Sequence, residues 1–190
     1  DGMPIGHPGY GVHAYPQGST APALWMLGSS DYGAQLAAHF GLPYAFAHFI
    51  TDGQGAEQAL ELYRSSFKPS AITPKPHAAI CVWALAADTE EQAWEMFKPR
   101  ERWKMDRNLG HIGALLAQDA ADRDYSPAGL PRLNALRKSA LVGTGAQVAE
   151  KLRALGATLE VDEIAVITWT HDAAAQKRSY ELLAQELIAK

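Results

Sequence analysis

Apolar positions in this chain fall into short continuous runs, separated by longer stretches with helical spacing. Leu24 to Leu27, Tyr44 to Phe49, Ala78 to Ala86 and Glu163 to Thr168 are short enough to predict strands. The run from Ala78 is almost wholly apolar, the mark of a strand covered on both faces in a parallel sheet. Between these runs, Leu36, Ala37 and Phe40 share a helical face, as do Ala59, Leu60, Leu62, Tyr63 and Phe67 in a helix predicted over Ala56 to Phe67. Asp88 or Thr89 caps a helix carrying Ala93, Met96 and Phe97, with Glu90 and Glu91 where the dipole favours them. Leu141 to Gly145 leads into a helix that Gly156 stops, and Ala173 to Ile188 is amphipathic, with Tyr180, Leu183 and Leu187 facing inward. Alternating strands and helices predict an α/β fold with a parallel sheet. Four such strands cannot close a barrel, but they make half of an eight-stranded one.

Two regions break the pattern. Lys98 to Ser139 is rich in charge and ends in the turn-prone SPAGLP, so it reads as an insertion with one or two short helices inside a single 1–190 domain. Its basic cluster, PRERWKMDR, is interleaved with acids and reads as a solvated face. Asp1 to Ala23 is a Gly- and Pro-rich loop, with at most a short strand near Val12 to Tyr15. Without an initiating methionine, the expectation is the later part of a longer polypeptide.

The 190 residues are 47% hydrophobic with net charge −4, enough for a real core. The mildly acidic balance argues against nucleic acid as a partner. No apolar run is long enough to span a bilayer, and Asp1 to Gly11 lacks the basic-then-apolar order of a signal peptide. The single cysteine, Cys81, predicts a buried thiol and, with it, a cytoplasmic location. His7, His13, His39, His77 and His111 show no metal-ligand spacing, so no metal is expected.

The most informative segment is the turn that Leu24 to Leu27 enters, made of Gly28, Ser29, Ser30, Asp31, Tyr32 and Gly33. A strand-to-helix turn aims unpartnered N–H groups one way with the helix dipole behind them, an arrangement suited to phosphate. The serines can add donors, and the glycines admit close backbone approach. An ordinary helix capped by Ser29 or Ser30 explains the same residues equally well.

The chain resembles the later half of the bacterial luciferase-like, flavin-dependent monooxygenases. The carrying blocks are LGSSDY from Leu27, AQLAAHFGLP from Ala34, YAFAH from Tyr44, ALELYRSSFKPS from Ala59, AADTEEQA from Ala86, ALVGTGAQVAEKL from Ala140 and DEIAVITWTHDAAAQKRSYELLA from Asp162. The resemblance implies the fifth to eighth units of a TIM-type (β/α)8 barrel, with function at the C-terminal ends of the strands. It implies reduced FMN as cofactor, its phosphate held by the turn that contains Leu27, Gly28, Ser29, Ser30, Tyr32 and Gly33. Gly33 stands where the family more often has serine or threonine, which removes a hydroxyl and keeps the amide.

The activity implied is oxidation of a small organic substrate by reduced flavin and O2, with a separate flavin reductase and a homodimer as partners. A non-catalytic flavin-binding protein or a half-barrel interaction module is the alternative. His48 ends the sixth strand of the family barrel and is the catalytic candidate, through a hydrogen bond to flavin; a half-buried histidine bonded to backbone is the other reading. Trp169 and His171 follow the eighth strand and are candidates for the substrate pocket, although Asp172 beside His171 also reads as a plain helix cap. Trp83 reads as core.

Overall fold

A computed structural model of the chain describes residues 3–13, 15, 18, 22–71, 73–121 and 124–188. The strands are β1 (Met26–Gly28), β2 (Tyr44–Phe46), β3 (Ala78–Ala87), β4 (Leu141–Thr144) and β5 (Glu163–Ile167). The helices are α1 (Asp31–Phe40), α2 (His48–Thr51), α3 (Ala56–Ser66), α4 (Glu90–Asn108), α5 (Gln118–Ala121), α6 (Leu130–Ser139), α7 (Gly145–Leu159) and α8 (Ala173–Leu187). Every strand pairing is parallel: β1 with β2, β2 with β3, and β3 with both β4 and β5. Every strand therefore ends at the same edge of the sheet, and the segments that follow them gather there.

β3 holds the sheet together. Its first residues pair with β2, its middle with β5 and its last four, Ala84 to Ala87, with β4. Alternate residues divide between two faces. Ile80, Val82, Ala84 and Ala86 pack with α1, α3, α7 and α8 in the main core. Trp83, Leu85 and Ala87 point the other way, onto Ala93 and Phe97 of α4. That second face is covered only toward the strand ends. Nearer the strand starts Leu27 is 70% exposed, Cys81 is half-buried and Ala165 is exposed.

Several expectations change. The parallel α/β sheet is present, with a fifth strand, Leu141–Thr144, where the sequence suggested only a lead-in to a helix. The second strand stops at Phe46, and His48 opens a one-turn helix instead of ending the strand. α4 does not stop before Lys98; it runs through Pro99 to Asn108. The PRERWKMDR cluster is not a solvated face either, because Arg100, Glu101, Arg102 and Lys104 are buried. Cys81 is half-buried rather than fully buried, and desolvation pushes its thiol pKa up. The strand expected near 12–15 lies partly outside the described residues, and Val12, His13 and Tyr15 join no strand.

Candidate functional site

At the common edge, the turn after β1 differs from those after β3, β4 and β5. Thr89, Thr144 and Asp172 each cap the following helix, with side chains accepting from Gln92, Gln147 and Ala174 backbone N–H. Ser30 has the extended backbone of an N-cap, yet its hydroxyl makes no capping bond to α1. The helix therefore keeps its first-turn amides facing the edge. Asp31, in that turn, accepts a hydrogen bond from Gln58 Nε2 at 2.8 Å.

The two glycines bring the turn close to its strand: a Cβ on Gly28 or Gly33 would meet the other's Cα at 3.2 Å. Tyr44 lies beneath, donating to the Ser30 carbonyl at 3.3 Å, and its burial raises its pKa to about 12. Ala47 N–H donates to the Gly28 carbonyl at 2.7 Å, which ties the turn to the segment carrying His48.

His48 opens α2 with its ring against Gly53, where any Cβ would overlap Nε2. Gly53 has φ +85°, so glycine is required there for space and for backbone. Burial lowers the His48 pKa, with Asp52 opposing and Lys104 adding to the shift, so the imidazole is neutral near pH 7.

α4 crosses above α2 and bonds to its carbonyls. Lys104 Nζ donates to the Phe49 and Ile50 carbonyls at 3.1 and 3.2 Å and pairs with Asp52 at 2.7 Å. Arg100 Nη2 donates to the same Phe49 carbonyl at 3.3 Å. The Arg100 guanidinium lies over the rings of Trp169, Trp103 and Trp83, at 4.6, 4.9 and 5.3 Å from their centroids. Burial brings its pKa down to about 10, which leaves it charged at neutral pH.

These residues enclose a cleft of about 230 Å3, lined by Phe49, Thr51, Arg100, Trp103 and Trp169 among others. A smaller one beneath it is lined by His48, Trp83, Phe97 and Arg100.

A parallel α/β sheet with its loops gathered at one edge is shared by many folds, and the sequence decides among them. The luciferase-like monooxygenase family matches residues 6–162. The chain belongs to that family.

Among the proteins it resembles, the uncharacterized protein YwcH of Bacillus subtilis (strain 168) is 40% identical over 178 residues, 93% of this chain and 53% of that protein. The crystal structure of apo-MsnO8 superposes with a TM-score of 0.80 at 30% identity, covering 94% of this chain and 54% of that one. The oxygenating constituent of 3,6-diketocamphane monooxygenase from Pseudomonas putida, solved in complex with FMN, shares the fold at TM-score 0.58 and 21% identity, over 87% of this chain and 47% of its own. The chain spans about half the length of the relatives it matches.

Within this luciferase-like edge, the expected residues divide. Ser29, Ser30 and Gly33 sit at the open turn, while Leu27 points to the uncovered sheet face and Tyr32 is exposed. His48 and Trp169 line the two clefts beside Arg100, whereas His171 is exposed and lines neither. Sequence reasoning missed Thr51, Arg100 and Lys104. The available signal was the spacing of Arg100, Trp103, Lys104 and Arg107, which share one face of a helix once Pro99 is not taken to end it.

Proposed function

We propose that this chain forms the later half of a (β/α)8 barrel that binds reduced FMN and uses O2 to oxidise a small organic substrate. The observation carrying this reading is the open N-terminus of α1, whose cap residue Ser30 leaves the first-turn amides to a ligand. The residues fit a phosphate: the Gly28 and Gly33 contact keeps side chains out of the cradle, and Ser29 and Ser30 add hydroxyl donors. Gly33, in place of a hydroxyl residue, contributes through its amide.

Reduced FMN, when bound, supplies the electrons that activate O2. The chain's own residues bind and orient. His48, neutral in its half-buried position, offers a hydrogen bond without bringing a second positive charge toward the flavin. Phe49 and Trp169, 5.7 Å apart edge to face, exclude water from the same edge. The uncovered apolar face around Leu27 is what the inner wall of half a barrel would present. A separate flavin reductase and a homodimer belong to the same proposal.

Equilibrium titration with FMN, followed by flavin fluorescence, tests the cradle. Ser30→Glu places a carboxylate among the amides and weakens FMN binding by about tenfold or more, through repulsion and crowding. Unchanged affinity in that variant would remove the phosphate assignment. Tight FMN binding with no oxygen consumption in the presence of reduced flavin would favour the non-catalytic flavin-binding reading.

A further inference from the structure

Three buried side-chain polar atoms among the described residues lack a hydrogen-bond partner: Thr51 Oγ1, Trp83 Nε1 and Arg100 Nη1. They fall in two clefts that share Arg100. Thr51 and Arg100 line the cleft of about 230 Å3, and Trp83 and Arg100 line the smaller cleft below it. Native proteins leave few buried polar groups unpaired, so Thr51 and Arg100, which line the larger cleft together, call for a partner there. The guanidinium and the indole only donate, and the hydroxyl can donate, so the missing partner is an acceptor.

Charge narrows that acceptor to an anion. Arg100 is 3% exposed, and no ion pair holds it among the described residues. Asp52, the carboxylate lining both clefts, is taken up by Lys104. Lining the larger cleft, Arg100, Lys104, Arg107 and Arg132 face that single acid, on a chain whose net charge is −4. Trp103 and Trp169 supply apolar walls.

We infer that Arg100 and Thr51, which line the same cleft, form an oxyanion subsite for an organic substrate bearing a carboxylate, whose apolar body lies against Trp103 and Trp169. The inference rests on reading this edge as the place of oxidation, and it deepens that reading by naming a substrate class. The flavin phosphate is the other anion to consider. Its turn follows β1, whereas the cleft is built by α4 and the segments after β2 and β5, two of the strands that pair with β3.

Benzoate is a suitable probe, with benzamide as its uncharged counterpart, and tryptophan emission of the full chain reports on Trp83, Trp103 and Trp169. Benzoate should bind saturably, and benzamide at least about tenfold more weakly. Arg100→Gln should weaken benzoate about 10- to 100-fold and change FMN affinity less than about twofold. Thr51→Val should weaken benzoate several-fold without lowering Tm, which keeps the inference testable if the arginine variant folds poorly. Equal binding of benzoate and benzamide, or wild-type benzoate affinity in both variants, would overturn it. So would competitive displacement of benzoate by FMN or inorganic phosphate, because the subsite would then serve the flavin tail. If benzoate binds as described and FMN does not bind at all, the flavin reading fails and the anion subsite stands.

Discussion

His48 and Gly53 hold each other in place at the residue scale. The ring occupies the space where any larger residue at 53 would put its Cβ, and Gly53 closes the turn by donating its N–H to the His48 carbonyl at 3.2 Å. Because burial is the main cause of the lowered His48 pKa, the unfolded chain takes up this proton at a higher pH than the folded one. Its contribution is therefore fully present above the unfolded pKa of 6.5 and is lost as the pH falls below it. His48→Gln is expected to flatten the decline of Tm between about pH 5 and 6.5 relative to the parent chain. Parallel Tm curves for the two proteins would show that this imidazole is protonated equally in both states. The sequence marked His48 by its place after an apolar run, but the Gly53 contact that fixes the ring depends on a left-handed turn five residues later.

At the scale of elements, α4 carries most of what the sequence concealed. A run of charges suggested a break after Phe97, since charged side chains are usually solvated. The helix continues because those charges find partners inside. Glu101 is held by Arg137 of α6 through Nε and Nη2, the latter at 2.9 Å, and accepts from Tyr125 at 3.0 Å. Pairing alone decides such a case, and pairing cannot be read from a linear sequence.

The asymmetry gives a test. Arg137 is half-exposed and Glu101 is buried, so removing the arginine strands a buried carboxylate. Arg137→Met should cost about 3 kcal/mol in urea denaturation, and Lys138→Met, at the exposed neighbouring position, less than about 0.5 kcal/mol. Comparable small losses in both would mean that Glu101 does not depend on Arg137. β4 was missed for a simpler reason: LVGTG carries two glycines, which lower strand propensity, and its pairing with Ala84 to Ala87 is a long-range contact.

For the whole molecule, the order of strands and helices was legible because buried parallel strands and amphipathic helices have different periods. Which sheet face is covered was not legible, because β3 is apolar on both. The structure puts Ile80 in the main core and Leu27 on the uncovered face. In the 190-residue chain by itself, Ile80→Val should therefore cost about 1 kcal/mol, while Leu27→Lys, though chemically more drastic, should change stability by less than about 0.5 kcal/mol. A large loss from Leu27→Lys there would mean that a second copy of the chain covers this face. The open turn was legible from its small and hydroxylated residues, whereas the absence of a Ser30 capping bond required coordinates.

Backbone amide resonances followed by NMR as FMN is added to the chain show whether the turn after β1 holds the flavin. The largest shifts are expected at Gly28 and from Asp31 to Gly33, with smaller ones at His48. Shifts confined to the capped turns at Thr89, Thr144 and Asp172, with the Gly28 to Gly33 amides unmoved, would contradict it.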